Sequence, residues 1–210
     1  MNIIIANQKG GAGKTTHCVI LANYLVLEKK QEVAILDMDF QASIKNLWDS
    51  DRETYSNEPL YEVIDIELDQ AGNVIEQIKN IDGHVIIDLP GRMDDNNLVP
   101  VFQKADLILC PFSYDKVTFE STYTFAQVVR QLNKSVPLIF VPNRLKAGVK
   151  YSTKDQVNKV LKEFGVISPE ISDKVAFQRI DTLTISDEIK EQVMTTYDWI
   201  YNNYINKTKK

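Results

Sequence analysis

The densest chemistry in the chain is the stretch Asn7-Gln8-Lys9-Gly10-Gly11-Ala12-Gly13-Lys14-Thr15-Thr16. Gly10, Gly11 and Gly13, with Ala12 between the last two, permit a tight turn whose backbone N–H groups face phosphate oxygens where side chains would intrude. An apolar strand, Ile3-Ile4-Ile5-Ala6, leads in, and a helical pattern follows, so the positive end of a helix dipole falls at the same point. In that frame Lys14 reaches the β- and γ-phosphates of a nucleotide, the Thr15 hydroxyl is placed to bind Mg²⁺, and Thr16 serves the α-phosphate. The generic loop spacing Gly-x-x-x-x-Gly-Lys-Thr requires glycine at position 8. The chain has Gln8 there, and Lys9-Gly10-Gly11 stands in its place.

Short β-branched runs position this loop and recur along the chain at Val33–Leu36, Val85–Ile87, Leu107–Leu109 and Leu138–Val141. Each is continuous, apolar and brief, the form of a strand buried on both faces. Between them the spacing predicts helices over 14–29, 73–80, 96–103, 118–133, 153–164 and 183–206. Strand–helix alternation of this kind gives an α/β fold, a mostly parallel sheet with helices on both faces, and the glycine loop after its first strand makes the expected type a P-loop NTPase. The segment Asp49–Asp69, with eight acidic residues opposed only by Arg52, reads as an exposed connection carrying a short strand near Leu60–Ile64. The tail Asn206–Lys210 reads as frayed. With no repeat and no linker, residues 1–210 are expected to form a single domain.

From the phosphate loop onward the sequence resembles the ParA/MinD ATPases, whose deviant Walker A motif carries a second lysine before the glycines, the position of Lys9. Leu36-Asp37-Met38-Asp39-Phe40-Gln41-Ala42-Ser43 resembles the family's switch I, usually Asp-x-Asp-Pro-Gln, with Phe40 in place of proline. Val85-Ile86-Ile87-Asp88-Leu89-Pro90-Gly91 resembles its Walker B and switch II. Cys110-Pro111-Phe112-Ser113 and Val141-Pro142-Asn143-Arg144 match later strand ends, so the likeness covers roughly residues 1–145. It implies a Mg²⁺-dependent ATPase, slow without a partner, that closes into a homodimer on ATP. Asp88, ending a buried strand opposite the loop, is expected to hold Mg²⁺ through water, and Asp37 to share that outer shell. Asp39 stands where the family places the residue that positions the attacking water. Lys9 is expected to reach across the dimer to the partner's ATP. Asn143-Arg144-Leu145-Lys146 lacks the acid that a guanine-reading Asn-Lys-x-Asp motif needs, which favours ATP, with Asn143 touching the adenine edge.

Small ParA-type partition ATPases are the nearest match in length. They imply nonspecific DNA binding by the ATP dimer, DNA segregation, and a ParB-like centromere-binding or adaptor partner. Residues 141–210 carry 12 Lys/Arg against 9 Asp/Glu on a chain of net charge −5, a mildly basic third suited to a polyanion. Lys146, Lys150, Lys154, Lys174 and Arg179 are the DNA candidates. The chain begins at the loop strand, so no N-terminal helix-turn-helix and no operator specificity are expected. The alternative is a MinD-like membrane-associated or protein-cargo positioning ATPase. Against membrane targeting, Ile185, Ile189, Val193, Tyr197, Ile200 and Tyr204 form a core-facing stripe. No run approaches the ~20 apolar residues of a bilayer span. The start carries no basic n-region or small-residue cleavage site, so no signal peptide is expected. Cys18 and Cys110 match neither a zinc site nor the cluster cysteines of the nitrogenase iron-protein type, and they suit a reducing cytosol. A cytoplasmic protein, nucleoid-associated when ATP-bound, is the resulting expectation. His17 and His84 read as structural.

Overall fold

In a computed structural model, residues 1–78, 81–92, 94–146 and 148–206 are described. Among them the apolar runs pair into one parallel sheet of β1 (Asn2–Ile5), β2 (Val33–Asp37), β3 (Glu62–Asp65), β4 (His84–Asp88), β5 (Leu107–Phe112), β6 (Leu138–Pro142) and β7 (Val166–Ile167). The strand order is β3-β2-β4-β1-β5-β6-β7. The chain builds one half of the sheet to one side of β1 and the other half to the opposite side. The carboxyl end of β1 therefore lies at the point where the winding reverses, the usual place for a ligand crevice in an open α/β sheet.

Seven α-helices accompany the strands among the described residues: α1 (Lys14–Leu27), α2 (Ser43–Tyr55), α3 (Ala71–Gln77), α4 (Val99–Gln103), α5 (Lys116–Leu132), α6 (Lys154–Leu161) and α7 (Asp187–Ile200). They cover both faces because strand residues alternate. Ile3, Ile5, Ile35, Ile86, Leu109 and Ile139 pack with residues of α1, α2 and α7. Ile4, Leu36, Ile87, Ile108 and Phe140 pack with residues of α3 to α6 on the other face. Both faces are dry, which is why the strands read as continuous apolar runs rather than alternating ones.

The acidic connection expected over Asp49–Asp69 is only partly that. Its first residues belong to α2, a helix the sequence pattern hides because Ile44 and Trp48 are its only buried apolar residues. The third buried position on this face is Asp51, whose Oδ2 accepts from Thr182 N at 2.7 Å and Thr182 Oγ1 at 2.8 Å. The expected short strand is β3, at 62–65. The final helix starts at Asp187, where the Ser186 hydroxyl accepts from Glu188 N. The loop before it is tied to α1 by Asn23, whose Nδ2 donates to the Asp181 and Thr184 carbonyls at 2.8 and 2.7 Å. Helix α7 runs on into a π-helical turn, Tyr201–Ile205. The tail 207–210 and the end of the helix expected at 73–80 lie outside the described residues.

Candidate functional site

β1 delivers the glycine loop, and α1 begins at Lys14 with Gly13 as its N-cap at φ +99°, a conformation glycine adopts without strain. Hydrogen bonding within α1 starts at His17 N, which donates to Gly13 O at 2.9 Å. The N–H groups of Lys14, Thr15 and Thr16 are left facing outward from the helix start, ready for an anion. Lys14 is only 8% exposed, yet its ammonium has no hydrogen-bond acceptor among the described residues. Gly91, following Asp88-Leu89-Pro90, closes over the loop: a Cβ there would stand 3.7 Å from Lys14 Nζ and 3.9 Å from Gln8 O. A sheltered ammonium and a row of open N–H groups fit the triphosphate of a nucleotide.

Asp88 and Asp37 sit side by side as register partners at the ends of β4 and β2, both fully buried. Thr15 Oγ1 donates to Asp88 Oδ2 at 2.8 Å, which brings together two of the residues expected to hold a cation. The other oxygen, Asp88 Oδ1, is buried with no hydrogen-bond partner among the described residues. Burial pushes the Asp88 pKa up to about 7, against the downward pull of the Thr15 bond and Lys14, with Asp37 and Asp39 adding a smaller push upward. An orphaned carboxylate oxygen held at some cost beside a threonine hydroxyl fits a hydrated Mg²⁺. Among the described residues no three His, Cys, Asp or Glu gather into a metal cage. A cation here would take its remaining ligands from water and phosphate.

Asp37, expected to share the outer shell of Mg²⁺, also receives three backbone hydrogen bonds. Its Oδ2 accepts from Ile44 N and Lys45 N at 2.9 and 3.1 Å, and its Oδ1 from Asp39 N at 3.2 Å. Helix α2 starts after Ala42, which sits at φ +46° and has no capping side chain, and Asp37 supplies the missing cap from the strand end. Burial raises its pKa, and the three backbone bonds oppose that rise. Asp37 therefore anchors the whole loop that carries Asp39. Asp39 is half-buried, with Oδ1 accepting from Gln41 N at 3.1 Å, while Phe40 beside it is fully exposed. Lys9, also half-buried, has an ammonium with no acceptor among the described residues.

Asn143 comes to the loop, but its amide faces protein: Nδ2 donates to Ala12 O at 2.9 Å and occupies the space beside Gly13, where a Cβ would meet it at 2.5 Å. Sequence reasoning missed Asn7. It is fully buried, with Nδ2 donating to Pro111 O and Thr122 Oγ1 at 2.9 Å each and Oδ1 accepting from Lys9 N at 3.0 Å. These bonds pin the start of the loop to β5 and α5. A polar residue directly after a strand that is otherwise apolar was the available signal. Of the basic residues, Lys154 pairs with Glu170, and Lys174 donates to Glu188 O at 2.6 Å beside a small cleft that Gly13, Thr16 and Arg144 also line. Arg144, Lys146 and Lys150 are exposed on the loop after β6.

Residues 3–182 match the family described as the CobQ/CobB/MinD/ParA nucleotide binding domain. A carboxysome distribution maintenance protein A from Gloeobacter kilaueensis is 32% identical over 113 residues, 52% of this chain and 47% of that protein. The matched segment thus spans about half the length of that relative. A plasmid partition protein from Borrelia burgdorferi bound to AMPPNP superposes with a TM-score of 0.76 at 20% identity, covering 96% of this chain and 98% of the other. An ATP complex of McdA from Cyanothece gives 0.71 at 16% identity, covering 96% and 95%. At these identities the structures share the fold. No helix among the described residues is long and apolar enough to cross a membrane.

Proposed function

Because the chain belongs to the CobQ/CobB/MinD/ParA nucleotide-binding family, we propose that it is a ParA-like ATPase that binds ATP with Mg²⁺ and closes into a dimer around it. In that state it binds DNA without sequence preference, and it releases when a ParB-like or adaptor partner stimulates hydrolysis. The observation that carries the reading is one glycine loop with two lysines, Lys9 and Lys14, whose ammonium groups have no hydrogen-bond acceptor among the described residues, and Lys14 close enough to pull on Asp88, whose Oδ1 also lacks a partner there. Phosphoryl transfer to water demands charge neutralisation and a positioned nucleophile more than covalent chemistry. Lys14 and the open N–H groups of α1 bind and orient the β- and γ-phosphates. Thr15 and Asp88 are the residues that would hold Mg²⁺, which when bound neutralises phosphate charge. Gly91 caps the loop and limits water near Lys14. Asp39, on the segment that Asp37 anchors, offers its Oδ2 to orient the attacking water, while Asn143 braces the loop through Ala12 O rather than reading the base.

Lys9 completes the proposal, because an ammonium without an acceptor among the described residues suits the phosphates of a second copy. The test separates it from Asp39. By light scattering with ATP and Mg²⁺, Asp39→Ala is expected at dimer mass, since hydrolysis is blocked and binding kept. Lys9→Ala is expected at monomer mass while still binding ATP through Lys14. A lost charge-assisted contact of ~1.5–3 kcal/mol lowers dimer affinity roughly ten- to a hundredfold. Equal masses for the two variants would defeat the sandwich mechanism. The relative named for carboxysome distribution supports a second reading, in which the same DNA-bound dimer positions a protein assembly. Membrane targeting by the C-terminal helix is disfavoured, since Ile189, Val193, Tyr197, Ile200 and Ile205 are all buried in the core.

A further inference from the structure

Helix α7 touches the nucleotide site from behind, through a contact the mechanism above does not use. Tyr197 is fully buried on α7, and its hydroxyl lies 2.6 Å from His17 Nδ1. His17 belongs to the first turn of α1, with its Cδ2 only 3.6 Å from where a Cβ on Gly13 would stand. The other edge of the ring lies against the Asn143 side chain, since His17 Cδ2 and Asn143 Nδ2 both border the same space beside Gly13 and the amide raises the imidazole pKa. Asn143 in turn closes the loop through its Nδ2 bond to Ala12 O. Two hydrogen bonds and one side-chain contact thus lead from the C-terminal helix to the phosphate loop.

One placement of protons satisfies every member. The Tyr197 O–H donates to Nδ1, Nε2 carries the ring hydrogen and turns it toward the Asn143 amide, which favours the amide with Oδ1 toward the ring and Nδ2 toward Ala12. The opposite ring tautomer leaves the Tyr197 hydrogen without an acceptor among the described residues and removes the donor that Asn143 Oδ1 requires. Were the amide to flip, Oδ1 would face the Ala12 carbonyl, acceptor against acceptor, at the turn whose N–H groups must stay open for phosphate. Burial holds His17 neutral, with its pKa lowered to about 4, so the ring keeps one donor and one acceptor.

We propose that Tyr197 and His17 are positioning residues of the nucleotide site, by which helix α7 orients Asn143 and fixes the Ala12–Gly13 turn in its phosphate-binding shape. This rests on the reading of the loop as an ATP site. It makes the C-terminal helix a working part of that site, so that anything displacing α7 loosens nucleotide.

Tyr197→Phe keeps the ring and its packing against Tyr24 while deleting the one donor. Affinity for a fluorescent ATP analogue is expected to fall about three- to tenfold, the loss of one neutral hydrogen bond. In the nucleotide-free protein, amide exchange of the peptide spanning 8–16 is expected to quicken. The matched control is Tyr24→Phe, which removes a hydroxyl from the same helix pair, donated at 2.5 Å to Asp198 Oδ1. It is expected to move neither reading by more than twofold. In an Asn143→Ala background, Tyr197→Phe is expected to add nothing, since the chain is already cut. Equal effects of the two tyrosine variants, or full additivity with Asn143→Ala, would reduce the contact to ordinary helix packing and overturn the proposal. If the wild type fails to bind the analogue, the ATP reading falls, and the exchange difference between the two tyrosine variants still decides the positioning role. Should Tyr197→Phe fail to fold, His17→Gln, which keeps an N–H for Asn143, is expected to protect loop amides better than His17→Leu; equal protection would overturn the proposal.

Discussion

Asp88 shows what a buried carboxylate costs its own fold. Its folded pKa of about 7 lies above the ordinary Asp value near 3.9, so between those values the folded chain binds more protons than the unfolded one. This contribution to stability is fully present below about pH 4 and is lost as pH rises through 7. Asp88→Asn mimics the protonated acid, so nucleotide-free Asp88→Asn is expected to be more stable than wild type at pH 8. The margin is on the order of 2–4 kcal/mol and narrows steadily toward pH 5. Urea melts at both pH values measure it. The same variant is expected to lose most of the extra stabilisation that ATP with Mg²⁺ gives the wild type. A wild-type protein equally stable at pH 5 and pH 8, with no gain in Asp88→Asn, would mean that Oδ1 is hydrated rather than orphaned.

Elements position these residues through side chains that local pattern does not advertise. Asp51 is the clearest instance: it sits in an acidic run, yet it turns inward on α2 and binds the Thr182 backbone and hydroxyl across the molecule. Asp51→Ala removes a charged acceptor from a buried site and is expected to cost ~2–3 kcal/mol. Asp49→Ala, which loses an exposed i,i+4 pair with Lys45, is expected to cost under ~0.5 kcal/mol. Denaturant midpoints for the two variants compare them directly, and similar losses would count against the inward role. This contrast also explains what was legible beforehand. The strands and the glycine loop follow from runs and spacings that local physics writes into neighbouring residues, whereas the Thr15–Asp88 bond joins residues far apart in the chain. Helix α2 was hidden because two of its buried positions are apolar and the third is an acid. Asn7, Asp37 as a cap and the His17–Tyr197 contact were hidden because their partners lie far away in the chain, where no periodicity records them.

At the scale of the whole molecule, charge and topology place the proposed DNA contact. Residues 1–140 carry 20 Asp/Glu against 12 Lys/Arg, so most of the surface repels a polyanion. The exposed cations Lys146 and Lys150 follow β6, at the carboxyl end of the sheet, on the same edge as the glycine loop. A second copy held there by ATP would bring its own pair to that edge and double the local positive charge, which ties DNA affinity to nucleotide without any base-specific contact. Lys104 and Lys134 precede β5 and β6 and lie at the opposite end, far from any such pairing. Charge reversal at Lys146 and Lys150 is therefore expected to weaken ATP-dependent binding to two duplexes of unrelated sequence by at least tenfold. If both lysines meet phosphates, the salt slope falls by about two units per subunit, since each neutralised phosphate contributes ~0.9. Reversal at Lys104 and Lys134 adds the same negative charge at the wrong end and is expected to change affinity less than threefold. Anisotropy titrations across salt concentrations separate the two. If both double variants lost affinity alike, binding would follow net charge rather than a face, and the carboxyl edge of the sheet would no longer be the DNA surface.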